Sequence, residues 1–118
     1  MGYNLYITRA ESWLDKEKSP IDMDEWEAAV AADPELEWST EDYYDRNVNG
    51  KIERLYLVIW TTHHDRVPFL FEDSAIEIKN PDNATIKKMV ALAGKLMAKV
   101  LGEEDEEYGP DGEPLLRN

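Results

Sequence analysis

The sequence predicts an α+β fold: a mainly antiparallel sheet of four or five strands, one short N-terminal helix and one long C-terminal helix packed on the sheet. Several short segments alternate apolar and polar residues, as half-buried strands do, and turn-forming residues separate them. Two other segments space their apolar residues along one helical face. At 118 residues, the chain has the size of one domain with a core.

The first strand and the first helix lie near the N-terminus. Residues 3–9, YNLYITR, alternate in the manner of a strand. After a polar loop, the segment IDMDEWEAAVAADP predicts a helix that Pro34 ends. Asp22 or Asp24 can cap it, because a carboxylate there accepts the free amide hydrogens and meets the positive end of the helix dipole. Its apolar residues at helical spacing are Met23, Trp26, Ala29 and Val30.

The remaining strands are predicted in the middle of the chain. Leu36 and Trp38 are candidates for the start of a short strand, and the pair Asn49-Gly50 predicts a tight turn. Residues 51–61, KIERLYLVIWT, carry apolar side chains on both faces, which predicts a central strand covered on both sides. Two further strands are predicted at 67–72 and 75–80, joined by a tight connection.

A long helix is predicted over residues 80–102. Asn80 can cap it with Pro81 in the first position, or Asp82 can cap it instead, and Gly102 ends it. Its apolar stripe is Ile86, Met89, Val90, Ala93, Leu96, Met97, Val100 and Leu101. Residues 103–118 are acidic and hold two prolines and two glycines, so we interpret them as a flexible tail. The predicted domain therefore covers residues 1–102.

The chain is strongly acidic, with a net charge of −13 that is unevenly distributed. Residues 11–45 carry 13 acids and 2 bases, and residues 103–118 carry 7 acids and 1 base. Nucleic acid is therefore an improbable partner, because phosphate binding needs clustered lysine and arginine. A basic protein partner fits better, since opposite charges speed association. Solubility alone is the simpler explanation of the charge.

The absence of certain residues and motifs from the sequence excludes several classes of function. No cysteine is present, which excludes disulfides, thiol catalysis and zinc–thiolate sites and fits a cytoplasmic protein. No run of apolar residues is long enough to span a membrane, and the first residues do not have the pattern of a signal peptide. No cofactor-binding motif is found, so no cofactor is expected.

The segment EDYYDR is the main candidate for a partner-binding surface. It places Tyr43 and Tyr44 among the carboxylates of Glu41, Asp42 and Asp45. Tyrosine offers rigid contact area with a hydrogen-bonding end and is enriched at the centres of interfaces. The alternative is that one tyrosine packs in the core and the other has no role.

The stretch WTTHHDR, residues 60–66, contains both histidines. Successive side chains of an extended chain point to opposite faces, so His63 and His64 are poorly placed to grip one metal ion. No nucleophile stands in a recognisable catalytic motif. We therefore interpret His63, His64 and Asp65 as contact residues at the end of a strand. The alternative is a small-ligand-binding protein or an enzyme with a cleft near Trp60–Asp65.

A second pattern, DRNVNGKIERLY, matches part of a calcium-binding loop. Asp45, Asn47, Asn49 and Gly50 fit its first half. The twelfth position should be a bidentate glutamate, but Tyr56 stands there. A hairpin turn at Asn49-Gly50 accounts for the same residues without an ion.

The opening GYNLYITRAESWLD, continued by SPIDMDEWEAAVAADPEL, resembles a group of small bacterial proteins that share this pattern. The later VIWTT and IEIKNPD also match their layout, and the resemblance covers residues 2–102 apart from much of 38–54. Some members resemble immunity proteins of polymorphic toxin systems, which bind and block a cognate toxin. The resemblance carries no catalytic residue.

Together these observations predict a non-enzymatic immunity protein that occludes a cognate protein toxin, and the acidity of the chain predicts that this toxin is basic. Carboxylates at 41–45 would steer the toxin and pair with its lysine and arginine residues, while Tyr43, Tyr44 and Trp13 would supply buried anchors.

Overall fold

The computed structural model describes residues 3–12, 20–62, 67–72 and 74–115. Both helices and seven strands lie in this part of the chain, in an α+β arrangement that confirms the predicted class. They are β1 (Asn4–Thr8), α1 (Met23–Ala31), β2 (Leu36–Val48), β3 (Lys51–Trp60), β4 (Val67–Glu72), β5 (Ala75–Lys79), α2 (Asn83–Lys95), β6 (Lys99–Leu101) and β7 (Glu107–Tyr108). The strands form one sheet in the order β2-β3-β4-β5-β1-β6-β7, and every neighbouring pair is antiparallel.

The sheet is larger than predicted, because seven strands replace the expected four or five. The predicted helix over 80–102 is shorter: α2 ends at Lys95, and Met97 takes a left-handed conformation with φ 54°. The Ala98 amide then donates to the Ala93 carbonyl at 2.8 Å, which closes the helix end. The residues that follow pair with the outer side of β1 as strand β6, where Val100 faces Ile7.

Side-chain caps fix the start of both helices. The Asp22 carboxylate accepts from the Glu25 amide at 2.9 Å, and the Glu25 carboxylate accepts from the Asp22 amide at 3.2 Å. This is a capping box. Asp82 caps α2 by accepting from the Thr85 amide at 2.8 Å. Of the alternatives predicted from the sequence, Asp22 and Asp82 are therefore the caps.

Both helices pack on the same face of the sheet. Trp26 of α1 is fully buried, and its ring lies 6.4 Å from the ring of Phe69. Alternate strand residues face the helices because side chains of a strand alternate between faces. Those in the core are Leu5, Ile7, Leu36, Val58, Phe69, Phe71, Ile76, Ile78 and Val100. Because these residues all face the core, the strand segments of the sequence alternate apolar and polar residues.

Strand β3 is not the central strand that its apolar pattern predicts. It lies between β2 and β4, one strand from the edge of the sheet, and residues 51–54 are exposed. Only its second half is mostly covered, with Leu55, Val58 and Ile59 buried. The first half of β3 and the paired end of β2 form a hairpin that extends beyond the cover of the helices.

The acidic segment after residue 102 contributes to the same fold, so the predicted domain boundary differs from the structure. Strand β7 pairs with β6, and the Leu115 amide donates to the Glu107 carbonyl at 2.7 Å. The Glu106 carboxylate accepts hydrogen bonds from the hydroxyls of Tyr3 and Tyr108. These contacts anchor residues 103–115 to the sheet. The predicted mobility of the segment stays a prediction.

The turn between β2 and β3 supplies a direct test of the hairpin. Asn49 and Gly50 have φ values of 54° and 84°, the left-handed pair that a two-residue hairpin turn requires. Gly50→Ala is expected to lower the free energy of unfolding by about 1 kcal/mol, because a Cβ is strained at this φ. Urea denaturation measures the loss. Asn49→Gly is the matched control and should change stability little; equal losses in both variants would contradict the turn conformation.

Candidate partner-binding surface

Five of the residues predicted to bind a partner, residues 41–45, lie on and beside a large β-bulge in β2. Trp38 pairs with Val58 and Tyr43 pairs with Tyr56, so residues 39–42 of β2 stand opposite Leu57 alone. The Ser39 hydroxyl oxygen accepts from the amides of Glu41 at 3.1 Å and Asp42 at 2.8 Å. We call residues 39–42 the acidic bulge. Its hydrogen bonds leave the side chains of Glu41 and Asp42 exposed at the surface.

An aromatic platform adjoins the acidic bulge on the helix side of the hairpin. Tyr43 and Tyr56 are 45% and 41% exposed, and their rings meet edge to face with centroids 5.8 Å apart. The Arg54 guanidinium lies 3.8 Å from the centre of the Tyr43 ring. Ile52 follows on the same face and is 68% exposed. We call these four residues the aromatic platform. It presents apolar area that the fold does not cover.

A groove connects the aromatic platform to helix α1. It has a volume of about 360 Å³ and is lined on the strand side by Trp38, Arg54 and Tyr56. Met23 and Glu27 of α1 line its other side. The exposed Glu27 therefore lies across the groove from Arg54 and Tyr56 of the platform.

The two tyrosines of the predicted site have different positions. Adjacent residues of a strand point to opposite faces, so Tyr44 lies on the face away from Tyr43. Its hydroxyl donates to the Phe71 carbonyl at 2.5 Å, which ties β2 to β4 across β3. Tyr44 therefore supports the sheet, while Tyr43 belongs to the exposed platform.

Asp45 is paired within the hairpin. Its carboxylate accepts from Arg54 Nε at 2.9 Å and from the guanidinium NH₂ at 3.3 Å. The hydrogen bond from Arg54 holds the pKa of Asp45 below its ordinary value. The charge of Asp45 is therefore compensated within the hairpin, while Glu41 and Asp42 present exposed carboxylates on the neighbouring acidic bulge.

Arg54, Ile52 and Tyr56 were not among the residues predicted from the sequence. A signal for them was present, because a two-residue turn at 49–50 sets the pairing of the two strands. Counting outward from that turn places Tyr56 opposite Tyr43 and Arg54 opposite Asp45, as the structure has them.

Four of the residues predicted to touch a partner, Trp13, His63, His64 and Asp65, lie outside the described residues. Trp60, which begins the alternative cleft, belongs to a network of side chains. Its indole NH donates to the Glu35 carboxylate at 3.0 Å, and Lys88 Nζ donates to Glu35 at 3.0 Å and to Asp33 at 2.6 Å. This network joins α2 to the start of β2 and to β3.

The charges of this network stabilise one another. Hydrogen bonds from Trp60 and Lys88 hold the pKa of Glu35 below its ordinary value. Burial alone would raise the pKa of Asp33, but its hydrogen bonds with Lys88 and the Glu35 amide outweigh burial and lower that pKa. Burial likewise opposes the charge on Lys88, yet the two carboxylates raise the pKa of Lys88. All three groups are therefore held in their charged forms at neutral pH.

The calcium-loop pattern at 45–56 folds as the two arms of the hairpin. Asp45 stands opposite Arg54, and Glu53 stands opposite Arg46 on the other face of the sheet. Asp45 and Glu53, which would bind the same ion in a calcium loop, thus point to opposite faces of the sheet. Among residues 3–12, 20–62, 67–72 and 74–115, no group of three metal-ligating side chains is placed to hold an ion.

None of the helices formed by the described residues has the length and apolar character needed to cross a membrane.

Comparisons of the chain with models of known protein families, with curated proteins and with solved structures find no match in any of the three.

Proposed function

We propose that this protein is an immunity protein that acts by binding: it occludes a basic bacterial toxin in the cytoplasm and catalyses no reaction. The observation that carries the proposal is the aromatic platform beside the acidic bulge. Three of the exposed large apolar side chains in the described residues, Tyr43, Ile52 and Tyr56, lie on one face of the hairpin. Exposed apolar area concentrated in this way is characteristic of protein-binding surfaces.

The chemistry of the platform suits the centre of an interface. Tyr43 and Tyr56 hold each other edge to face, so little side-chain entropy is lost when a partner covers them. Arg54 is fixed by Asp45 and stacked on Tyr43, which gives the platform a rigid, amphipathic surface. Aromatic residues and arginine are enriched among the residues that dominate binding energy.

The charge around the platform selects the sign of the partner's charge. Glu41 and Asp42 on the acidic bulge and Glu27 across the groove form an acidic rim. The whole chain carries a net charge of −13, which attracts a basic protein and repels an acidic one. The resemblance of residues 2–102, apart from much of 38–54, to small bacterial proteins, some of them like immunity proteins, supports the same function.

The proposal is tested by capture followed by a toxicity assay. The tagged protein is used as bait in lysate of the native host at low and moderate salt, and retained proteins are identified by mass spectrometry. We expect one stoichiometric basic partner whose gene arrests growth when expressed alone and does not when this protein is co-expressed. If the retained partner is harmless when expressed alone, the immunity function is wrong even though binding stands.

The acidic rim gives a quantitative prediction for binding of that partner. Glu41→Lys is expected to slow association about threefold to tenfold at low salt and to weaken the salt dependence, because a rim charge acts mainly on the encounter. Stopped-flow or surface-based kinetics measure both quantities. Glu104→Lys is the matched control, since it reverses an exposed charge on the segment after β6. Equal effects of the two variants would show that only net charge matters.

A further inference from the structure

Strand β2 is one edge of the sheet, and it combines an irregular half with a regular half. No described strand pairs with its outer side. The acidic bulge interrupts its first half, whereas Tyr43–Val48 pairs with β3 in continuous register up to the turn. These six residues form a straight edge of about 20 Å.

The register of the hairpin fixes which backbone groups point outward. In a two-residue hairpin the residues that flank the turn, here Val48 and Lys51, exchange both backbone hydrogen bonds, and such pairs alternate along the strands. The amides and carbonyls of Tyr43, Asp45 and Asn47 therefore point away from β3, toward the outer edge. In pairs that exchange no backbone hydrogen bonds the side chains lie closer together. The side chains of Asp45 and Arg54, which are 2.9 Å apart, fit such a pair.

A second copy of the chain is a poor occupant of this edge. Antiparallel pairing of two identical strands about a twofold axis sets one residue opposite itself. The two longest such pairings of Tyr43–Val48 centre on Asp45 or on Arg46, and each sets like charges directly opposite one another, which destabilises a sheet. The bulge also shortens the edge that a copy could use. These are common protections against self-association of edge strands.

The exposed carboxylates beside this edge favour a basic strand. Beyond the paired Asp45, the edge leads to the exposed carboxylates of Glu41 and Asp42. We propose that an extended, lysine- or arginine-bearing segment of the partner protein adds to the outer edge of β2 along Tyr43–Val48 as an eighth strand. This inference rests on the proposed function and specifies how the toxin would be held: backbone hydrogen bonds give affinity, and the acidic bulge selects charge.

The test uses the full, isotope-labelled protein and a synthetic probe. The probe is a peptide of about eight residues that alternates lysine and threonine, long enough to cover the edge. Hydrogen exchange of individual amides is followed by NMR with and without peptide. Controls are the same peptide with an N-methyl group on every residue, which keeps its charge but blocks both pairing edges, and a glutamate–threonine peptide.

Strand addition predicts an alternating response. The amides of Tyr43, Asp45 and Asn47 should exchange about tenfold more slowly when about nine-tenths of the protein is bound, while those of Tyr44, Arg46 and Val48 are protected in both states. The N-methylated and acidic peptides should leave the exchange unchanged. Equal binding of the methylated peptide, or protection without the alternation, would overturn strand addition and show attraction by charge alone.

The outcomes separate this inference from the proposed function. A captured toxin that binds without protecting Tyr43, Asp45 and Asn47 leaves the immunity function standing and removes the binding mode. Alternating protection by the lysine peptide, with no toxin captured from the host, supports the edge as a strand acceptor and removes the immunity function.

Discussion

Lys88→Met should lower the free energy of unfolding by about 3 kcal/mol or more. This is the largest loss of stability expected from one change in the ion-pair network of Asp33, Glu35 and Lys88. The Lys88 side chain is 13% exposed and that of Asp33 is 6% exposed, so their ion pair is nearly buried. Lys88 Nζ lies 2.6 Å from the Asp33 carboxylate and 3.0 Å from that of Glu35. Methionine keeps most of the apolar length but leaves the buried Asp33 charge without its partner.

A second variant separates lost charge from lost packing. In Lys88→Met combined with Asp33→Asn, no buried charge is left unpaired, and the asparagine oxygen can still accept from the Glu35 amide. We expect the double variant to recover at least half of the loss, as measured by urea denaturation. If it were no more stable than Lys88→Met alone, packing of the lysine stem would be the dominant contribution.

The three charged groups of this network also predict how the loss of stability depends on pH. The folded pKa values of Asp33 and Glu35 are lowered, so their contribution to stability is full above their unfolded pKa values and is lost as the pH falls through the folded ones. The pKa of Lys88 is raised, so its contribution is full below its unfolded pKa and is lost only as the pH rises through the folded one. The difference between the wild type and Lys88→Met should therefore be constant near neutral pH and shrink in acid.

The sequence predicts those elements in which local chemistry and burial agree. The pair Asn49-Gly50 specifies a turn, and that turn fixes the register of β3 against the end of β2. Asp22 with Glu25 gives α1 a capping box that can be recognised as a pattern of spaced residues. At these positions the deciding interactions join residues close together in the chain.

The elements that were predicted wrongly depend on distant partners. Val100 and Leu101 fit a helical stripe, but their pairing with Ile7 and Tyr6 of β1 makes them a strand. β3 looks central because it is apolar on both faces, yet its position near the edge follows from the order of all seven strands. The acidic bulge also could not be placed, because its length is defined by Leu57 on the neighbouring strand.

The candidate site was predicted in part for the same reason. The segment 41–45 contains Glu41, Asp42 and Tyr43 of the exposed surface. Which of the two tyrosines is exposed depends on the register shift at the bulge. Arg54 and Tyr56 enter the site only through pairing across the hairpin.

The largest effect on binding is expected from Tyr43→Ala. It should weaken the affinity for the captured partner at least about thirtyfold, which corresponds to about 2 kcal/mol, because a rigid aromatic anchor at the centre of an interface is lost. The free energy of unfolding should fall by less than about 1 kcal/mol, since Tyr43 is 45% exposed and loses only its contacts with Tyr56 and Arg54. Titration calorimetry and urea denaturation measure the two quantities.

Tyr44→Phe is the matched control, because it alters the adjacent tyrosine on the opposite face. It removes the hydrogen bond to the Phe71 carbonyl and should cost about 1 kcal/mol of stability while leaving the affinity unchanged within about twofold. Tyr43→Ala should thus reduce mainly binding, and Tyr44→Phe should reduce mainly stability. If Tyr44→Phe weakened binding as much as Tyr43→Ala did, the partner would contact the other face of the sheet. The aromatic platform would then not be the binding surface.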